Sequence, residues 1–216
     1  KEEAEKLYKN VYELKQFLSG RTLWVGSTDV SKHYPMSNFN CSFQVIDSFS
    51  SFKDVFYLLM VGSGVGVRIL KSDIEKLPMV RTDIEIIHES YTPQLKAFRQ
   101  DNTSLEFTHN DTVKITIGDS KEGWVQSLDY YLKILYSTEY RKIKTVILNY
   151  DHVRIKGEKL KTFGGTASGH SSMKNMSIKI NKVIEKASGR STTIRVKLKP
   201  IDCLDIANII GENVVV

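Results

Sequence analysis

The chain has 216 residues, which is enough for one sizeable domain or for one domain with an insertion. Its 41% apolar and 26% charged residues are ordinary for a soluble globular protein, and no run of about 18 apolar residues could span a membrane. The charged residues 1–6 lack the apolar core of a signal peptide, and two cysteines cannot form a disulfide framework. We therefore expect a cytoplasmic protein without a membrane partner.

The net charge of +6 is unevenly distributed along the chain. Residues 152–200 contain 12 Lys or Arg against only two acidic residues, Glu158 and Glu185. A basic segment of this density suits phosphate groups, either of nucleotides or of nucleic acid. It is equally typical of a solvated helix face with spare lysines, and charge alone does not separate these interpretations.

The first 70 residues show helical and strand-like patterns in turn. Asp47 and Ser48 have the side chains that commonly cap the start of a helix. The glycines of 62–66 end that helix. The predicted elements are a helix over 4–18, strands over 23–25 and 41–46, a helix from 47 to 60, and a strand over 67–70.

The rest of the chain begins with a polar, irregular segment, which predicts a loop-rich insertion. Strands and helices then alternate again, and this alternation indicates the α/β class. The final apolar residues, 209–216, look strand-like, so we expect either that the polypeptide continues or that another chain completes the strand. The predicted elements are strands over 84–87, 113–117 and 145–148, and helices over 121–135, 173–187 and 201–210.

One pattern occurs twice. Asp47–Ser48 and Asp119–Ser120 each follow a strand-like segment and precede a helix-like one. Because Asp-Ser is a common helix cap, chance explains the repeat as readily as two copies of one strand–cap–helix unit do.

Six short stretches, in order along nearly the whole chain, resemble the adenosylcobalamin-dependent (class II) ribonucleotide reductases. The resemblance is strongest to the monomeric ribonucleoside-triphosphate type. Each stretch alone is weak evidence for the family, whereas six stretches in the family's order are specific evidence. They are GRTLW (20–24), MSNFNC (36–41), LMVGSGVG (59–66), GDSKEGW (118–124), FGGTASG (163–169) and IIGENVVV (209–216).

The resemblance implies an α/β fold that is the N-terminal half of a ten-stranded α/β barrel. Residues 1–70 would be an N-terminal helix and the first barrel strands. Residues 71–148 would be an insertion that carries the allosteric specificity region and mimics a dimer partner. Residues 149–216 would continue the barrel, with the specificity loop, and the cysteine motif that forms the radical would lie beyond them.

The resemblance also implies a substrate site around Cys41. This cysteine matches the N-terminal thiol of the redox pair that reduces the 2′ carbon of the ribose. Asn40, Gly62, Ser63 and Gly64 would lie beside the substrate sugar, although the family often has three successive glycines where Ser63 stands between two. From the residues alone, a buried strand cysteine is the favoured interpretation of Cys41.

A second implied site binds a nucleotide effector. Asp119 and Ser120 match an effector-binding pair at a helix start, where the carboxylate can accept a hydrogen bond from a deoxyribose 3′-hydroxyl. Arg154 and Lys161, in a segment that resembles the specificity loop, would contact the triphosphate. From the residues alone, Asp119 can also be only a helix cap.

The implied cofactors are adenosylcobalamin, bound mainly by the missing half, and a dithiol reductant, and no metal ligand is implied in this chain. The implied partners are a C-terminal half of the reductase, a ribonucleoside triphosphate substrate, a deoxynucleoside triphosphate effector and a thioredoxin-type reductant. Two alternatives are a non-catalytic module that binds deoxynucleoside triphosphates and a basic nucleic-acid-binding domain. The second lacks the interleaved aromatic residues that stack on single strands, so no nucleic-acid partner is expected.

Overall fold

The computed structural model describes residues 1–109, 111–160, 165–189 and 194–215. Its helices and strands alternate through most of this part of the chain, which confirms the α/β class. The helices are α1 (Glu2–Tyr12), α2 (Gly20–Val25), α3 (Asp29–His33), α4 (Ser50–Met60), α5 (Lys71–Ile74), α6 (Lys121–Tyr136), α7 (His170–Ser188) and α8 (Pro200–Val215). The strands are β1 (Cys41–Val45), β2 (Gly64–Arg68), β3 (Val80–Arg81), β4 (Glu85–His88), β5 (Ser104–His109), β6 (Thr112–Thr116), β7 (Thr145–Asn149) and β8 (Arg195–Val196).

A four-stranded sheet with the order β4–β7–β6–β5 occupies the middle of the chain. Strand β7 runs parallel to β4 and β6, whereas β5 runs antiparallel to β6. Alternate residues of the central strands, such as Val113, Ile115, Val146 and Leu148, are buried in the core. Because β6 and β7 are parallel neighbours, the segments that follow them emerge at the same edge of the sheet.

A smaller parallel pair, β1 and β2, packs against α4 on one face. Helix α4 also contacts α6 and α8, so it joins this pair to the main core. Phe52 and Phe56 of α4 are fully buried, and each such side chain contributes about 1.5–3 kcal/mol through apolar burial. The helix thereby fixes the position of the strand that begins with Cys41.

Several predicted features of the secondary structure are wrong. Residues 23–25 lie in helix α2 and not in a strand, because the Ser19 side chain accepts a hydrogen bond from the Thr22 N–H and caps this helix. The strand-like apolar end of the chain is helical through Val215. The first helix ends at Tyr12, six residues before the predicted end.

The repeated Asp-Ser pattern has two different structures. Ser120 caps α6 and accepts a hydrogen bond from the Gly123 N–H at 2.9 Å. The predicted cap on Asp47 and Ser48 is wrong, because α4 begins after Phe49 without a side-chain cap. The two pairs therefore do not share a local conformation.

Among the described residues, no helix is both long enough and apolar enough to cross a bilayer.

Candidate functional site

Cys41 is the first residue of β1 and lies on the exposed face of the β1–β2 pair. It stands opposite Gly64 in the parallel register. Phe43 and Gly66 form the next such pair on the same exposed face. Gly64 leaves the strand beside the thiol without a side chain, whereas the Phe43 ring lies over Gly66, so the open space next to the sulfur is at Gly64.

The predicted substrate-site residues surround the start of the two strands. The Gly64 N–H donates a 2.8 Å hydrogen bond to the Asn40 carbonyl oxygen, which fixes the two strand starts to each other. Gly62 has a φ of +83°, a conformation that favours glycine at this turn. Ser63 is buried, and its hydroxyl donates to the Ser42 hydroxyl at 3.1 Å. The structure therefore brings these residues together around Cys41, with the Ser63 side chain in contact with protein.

Asp119 and Arg154, predicted from separate stretches, are in direct contact. Asp119 Oδ1 accepts hydrogen bonds from the Arg154 backbone N–H at 2.9 Å and from Arg154 Nε at 2.8 Å. Arg154 Nη2 donates to the Asp119 carbonyl oxygen at 2.8 Å. Asp119 follows β6 and Arg154 follows the parallel neighbour β7, so the sheet edge places them side by side. The Asp119 side chain is only 9% exposed, which makes these charge-assisted bonds strong.

Two further charged residues complete the cluster, and sequence analysis missed both. Arg99 Nη1 donates to both carboxylate oxygens of Glu158, at 3.0 and 2.8 Å, and reaches Asp119 Oδ2 at 3.4 Å. The hydrogen bond from Arg99 holds the pKa of Glu158 below its ordinary value. Arg99 lies in the irregular segment 89–103, and no local pattern in that segment signals its role.

The charges of this cluster compensate one another, since two guanidinium groups face two carboxylates. Positive charge that is available to an anion comes from the exposed lysines Lys156 and Lys159 on the same loop. Lys161, the other predicted phosphate contact, lies outside the described residues. Ser120 uses its hydroxyl locally, because it donates to the Asp101 carbonyl oxygen at 2.6 Å as well as capping α6.

Among the described residues, close backbone contacts explain why small residues follow this loop. The Gly157 N–H donates to the Ala167 carbonyl oxygen at 2.9 Å, and the Ala167 N–H donates to the Glu158 carbonyl oxygen at 2.8 Å. Gly169 has a φ of +82°, and a Cβ atom there would lie 3.0 Å from the Lys156 backbone nitrogen. The loop thus folds back on itself so closely that a side chain at Gly169 would collide with it.

Neither a metal-binding cluster nor, in the two cavities described below, a fit for a corrin is found among the described residues. Within the described ranges, no group of three His, Cys, Asp or Glu side chains is placed to hold a metal ion. A cavity of about 20 Å³ lies in the core between α6 and α7, and a surface groove of about 340 Å³ lies between α7 and α8. The core cavity is about the size of one water molecule, and the groove is lined mainly by charged and polar side chains, so neither of these two resembles the apolar pocket that an organic cofactor occupies.

Two family models match the chain. Residues 80–184 match the insertion domain of B12-dependent ribonucleotide reductase, and residues 1–28 match the ribonucleotide reductase alpha domain. The crystal structure of a B12-dependent (class II) ribonucleotide reductase superposes with a TM-score of 0.80 over 99% of this chain, at 27% sequence identity. The chain is similar to the B12-dependent ribonucleotide reductases, whose insertion domain matches residues 80–184. This similarity confirms the resemblance that the six stretches indicated.

Curated relatives agree with this similarity. The adenosylcobalamin-dependent ribonucleoside-triphosphate reductase of Lactobacillus delbrueckii subsp. bulgaricus is 31% identical over 242 aligned residues, which cover 99% of this chain. The enzyme of the same description from Lactobacillus leichmannii is 30% identical over 242 residues. The chain spans 32% of the length of these two reductases and 33% of the superposed crystal chain. The mixed α/β fold is consistent with an N-terminal half of the reductase barrel. The predicted division of this reductase segment at residues 70 and 148 stays a prediction.

Proposed function

We propose that this chain is the part of an adenosylcobalamin-dependent ribonucleoside-triphosphate reductase that supplies one substrate-reducing thiol and the effector site. The observation that carries the proposal is the exposed position of Cys41 at the start of β1, opposite Gly64. A thiol that reduces a ribose must reach the sugar, and the missing side chain at Gly64 leaves room for it. The named relatives are adenosylcobalamin-dependent, and we propose that this cofactor is held mainly by a part of the reductase other than this chain.

The proposed role of Cys41 is that of a two-electron donor in concert with a second thiol. Two thiols lose two electrons and two protons and form one disulfide. The ribose carbon exchanges its hydroxyl for hydrogen, and the hydroxyl leaves as water, so atoms and electrons balance. Cys203 is an unsuitable second thiol, because it is completely buried and burial raises its pKa to about 12. The second thiol therefore belongs to another part of the reductase.

The experiment that tests this role compares two cysteine variants in the complete reductase. We expect Cys41→Ser to abolish formation of deoxynucleotide from a ribonucleoside triphosphate with a dithiol reductant. Cys203→Ala is the matched control, since it removes the other thiol of the chain and leaves the proposed chemistry intact. Equal activity of Cys41→Ser and the unmodified enzyme would exclude the redox role.

We propose that the cluster around Asp119 binds the deoxynucleoside triphosphate effector. Asp119 Oδ1 already accepts two hydrogen bonds, whereas Oδ2 receives only the 3.4 Å contact from Arg99. Oδ2 is therefore the atom that can accept a sugar hydroxyl. The exposed Lys156 and Lys159, together with Lys161, supply charge for the phosphates.

Titration of deoxynucleoside triphosphates against the chain tests the effector site. We expect Asp119→Asn to weaken binding about tenfold, the loss typical of one hydrogen bond to a charged group. Lys179→Gln is the matched control, because it removes a cation whose partner, Glu212, lies away from the cluster. Unchanged affinity in Asp119→Asn, or equal weakening in both variants, would contradict the assignment. Strongly salt-dependent binding of oligonucleotides by the chain would favour a nucleic-acid-binding domain instead.

A further inference from the structure

Arg21 is half-buried in the first turn of α2 and reaches both segments that lead into the β1–β2 pair. Its Nε donates a 3.0 Å hydrogen bond to Asn40 Oδ1, and its Nη2 donates to the Gly62 carbonyl oxygen. Asn40 directly precedes Cys41, and Gly62 lies two residues before Gly64, which stands opposite Cys41. One guanidinium group therefore joins the two chain segments that enter the face carrying the thiol.

The geometry around Arg21 is restrictive. A Cβ atom on Gly62 would lie 2.9 Å from Arg21 Nη1, and Gly62 also has a positive φ. The guanidinium carbon lies 5.5 Å from the centre of the Trp24 ring, which holds the side chain from another direction. Lysine cannot replace this arrangement, because an ammonium group is a point charge without the planar fork.

The contact also determines how the Asn40 amide is turned. A guanidinium group only donates hydrogen bonds, so Asn40 must present its oxygen to Arg21. The amide nitrogen then faces away from Arg21 and can donate to another group. Asn40 is tied a second time through its carbonyl oxygen, which accepts the Gly64 N–H at 2.8 Å.

The bonds of Arg21 do not satisfy the whole side chain. Nη1 is buried and has no hydrogen-bond partner among the described residues. Within the same part of the chain, no carboxylate lies within ion-pair distance of Arg21, in contrast to Arg68 on β2, which bonds Asp73 at 3.0 Å. A buried donor without an acceptor is unfavourable, so simple stabilisation of the fold explains the placement of Arg21 poorly.

We infer that Arg21 is a positioning residue, which holds the Asn40 amide and the Gly62 carbonyl in the orientation that receives the substrate beside Cys41. The inference rests on the proposed function for the identity of the substrate, a ribonucleoside triphosphate. Arg21 itself acts through Asn40 and Gly62 and takes no part in the exchange of electrons.

The contact itself is tested on the 216-residue chain by hydrogen exchange of the Arg21 Nε–H signal in nitrogen-15 spectra. We expect Asn40→Ala to accelerate this exchange about tenfold or more, as loss of one hydrogen bond to a charged group predicts. Asn40→Asp retains an acceptor oxygen and should keep the exchange slow. Equal exchange rates in the unmodified chain and in Asn40→Ala would overturn the inference, and this measurement needs no enzymatic activity.

The consequence for the reaction is tested in the complete reductase. We expect Arg21→Lys to raise KM for the ribonucleoside triphosphate about tenfold and to change kcat less than about twofold, because it disturbs binding more than chemistry. Arg68→Lys is the matched control. It is the same substitution at a position on β2 that contacts neither Asn40 nor Gly62, and it should leave KM unchanged. Asn40→Ala should raise KM similarly, and the double variant should raise KM by less than the product of the two single effects, because the two residues share one hydrogen bond.

Two results would overturn the positioning role: a KM for Arg21→Lys within about twofold of the unmodified enzyme, or effects of Arg21→Lys and Asn40→Ala that multiply in the double variant. Failure of the redox proposal has a different signature. If Cys41→Ser retains full activity, Cys41 is not the reductant, while the KM and exchange measurements on Arg21 keep their meaning.

Discussion

Asp119→Ala tests whether the charged cluster stabilises the loop that follows β7. The substitution removes the acceptor of two Arg154 hydrogen bonds, at 2.9 and 2.8 Å, and of the 3.4 Å contact from Arg99. The Arg99 side chain is 9% exposed and loses this contact, but it keeps both of its bonds to Glu158. Removing one partner of a buried ion pair costs about 3–5 kcal/mol. Arg154 Nη2 keeps its bond to the Asp119 backbone, so we expect a loss of about 3 kcal/mol.

The assay is urea unfolding followed by circular dichroism, with the free energy of unfolding obtained by linear extrapolation. Glu212→Ala is the control, because it breaks the exposed pair with Lys179, and such pairs contribute about 1 kcal/mol or less. Asp119→Asn, which retains an acceptor oxygen but loses the charge, should fall between the two. A loss for Asp119→Ala no greater than that for Glu212→Ala would refute the reasoning.

Three further predictions concern the backbone at a glycine, a buried hydroxyl group and the pH dependence of stability. Gly169→Ala should destabilise the chain by about 1–3 kcal/mol, because its φ is positive and the added Cβ meets backbone. Tyr131→Phe should change the free energy of unfolding by less than about 0.5 kcal/mol, since its buried hydroxyl has no partner among the described residues. Because its pKa is lowered in the folded chain, Glu158 stabilises the fold above its ordinary pKa of 4.5. That contribution should disappear as the pH falls below this value, and Glu158→Gln should flatten the acid limb of a stability–pH curve.

The first two of these predictions each have a matched variant, and the third has a direct refuting outcome. Gly157→Ala has a similar φ of +88° but nothing within 4 Å of the added atom, so a cost equal to that of Gly169→Ala would rule out the steric contribution. Tyr150→Phe loses a 2.8 Å hydrogen bond with His88 and should cost about 1 kcal/mol, and a larger cost for Tyr131→Phe would disprove the interpretation. An unchanged acid limb in Glu158→Gln would show that its carboxylate is not linked to folding.

The sequence predicted the elements with strong apolar periodicity, and it indicated candidate site residues that lie in motifs. The predicted strand at 113–117 and the predicted helix at 121–135 appear within a residue or two of β6 and α6. The short segment 23–25 was misassigned because Trp and Val favour strands, whereas the Ser19 side chain that caps the helix is a local polar contact. The valines at the end of α8 also favour strands. Packing of this helix on α4 and α7 overrides that preference.

The sites differ in how much of them was predictable. Asp119 and Arg154 were each recognised in their own stretch, but the bonds between them join residues 35 positions apart. Arg99 and Glu158 are 59 positions apart, and only the meeting of the loops at one sheet edge reveals their contact. Arg21 lies inside a recognised stretch, yet its role depends on the folded positions of Asn40 and Gly62. Chemistry that is assembled from distant loops leaves no spacing signal in the sequence.

The contrast between the two cysteines has a practical consequence. Cys203 is sealed inside the core, and burial raises its pKa to about 12, so almost none of it is thiolate at neutral pH. Cys41 is exposed on the β1–β2 pair. A maleimide fluorophore or a nitroxide spin label will therefore attach to the native chain at one position without any engineered cysteine. Its signal will come from the strand face beside Gly64, where docking of other parts of the reductase can be followed directly.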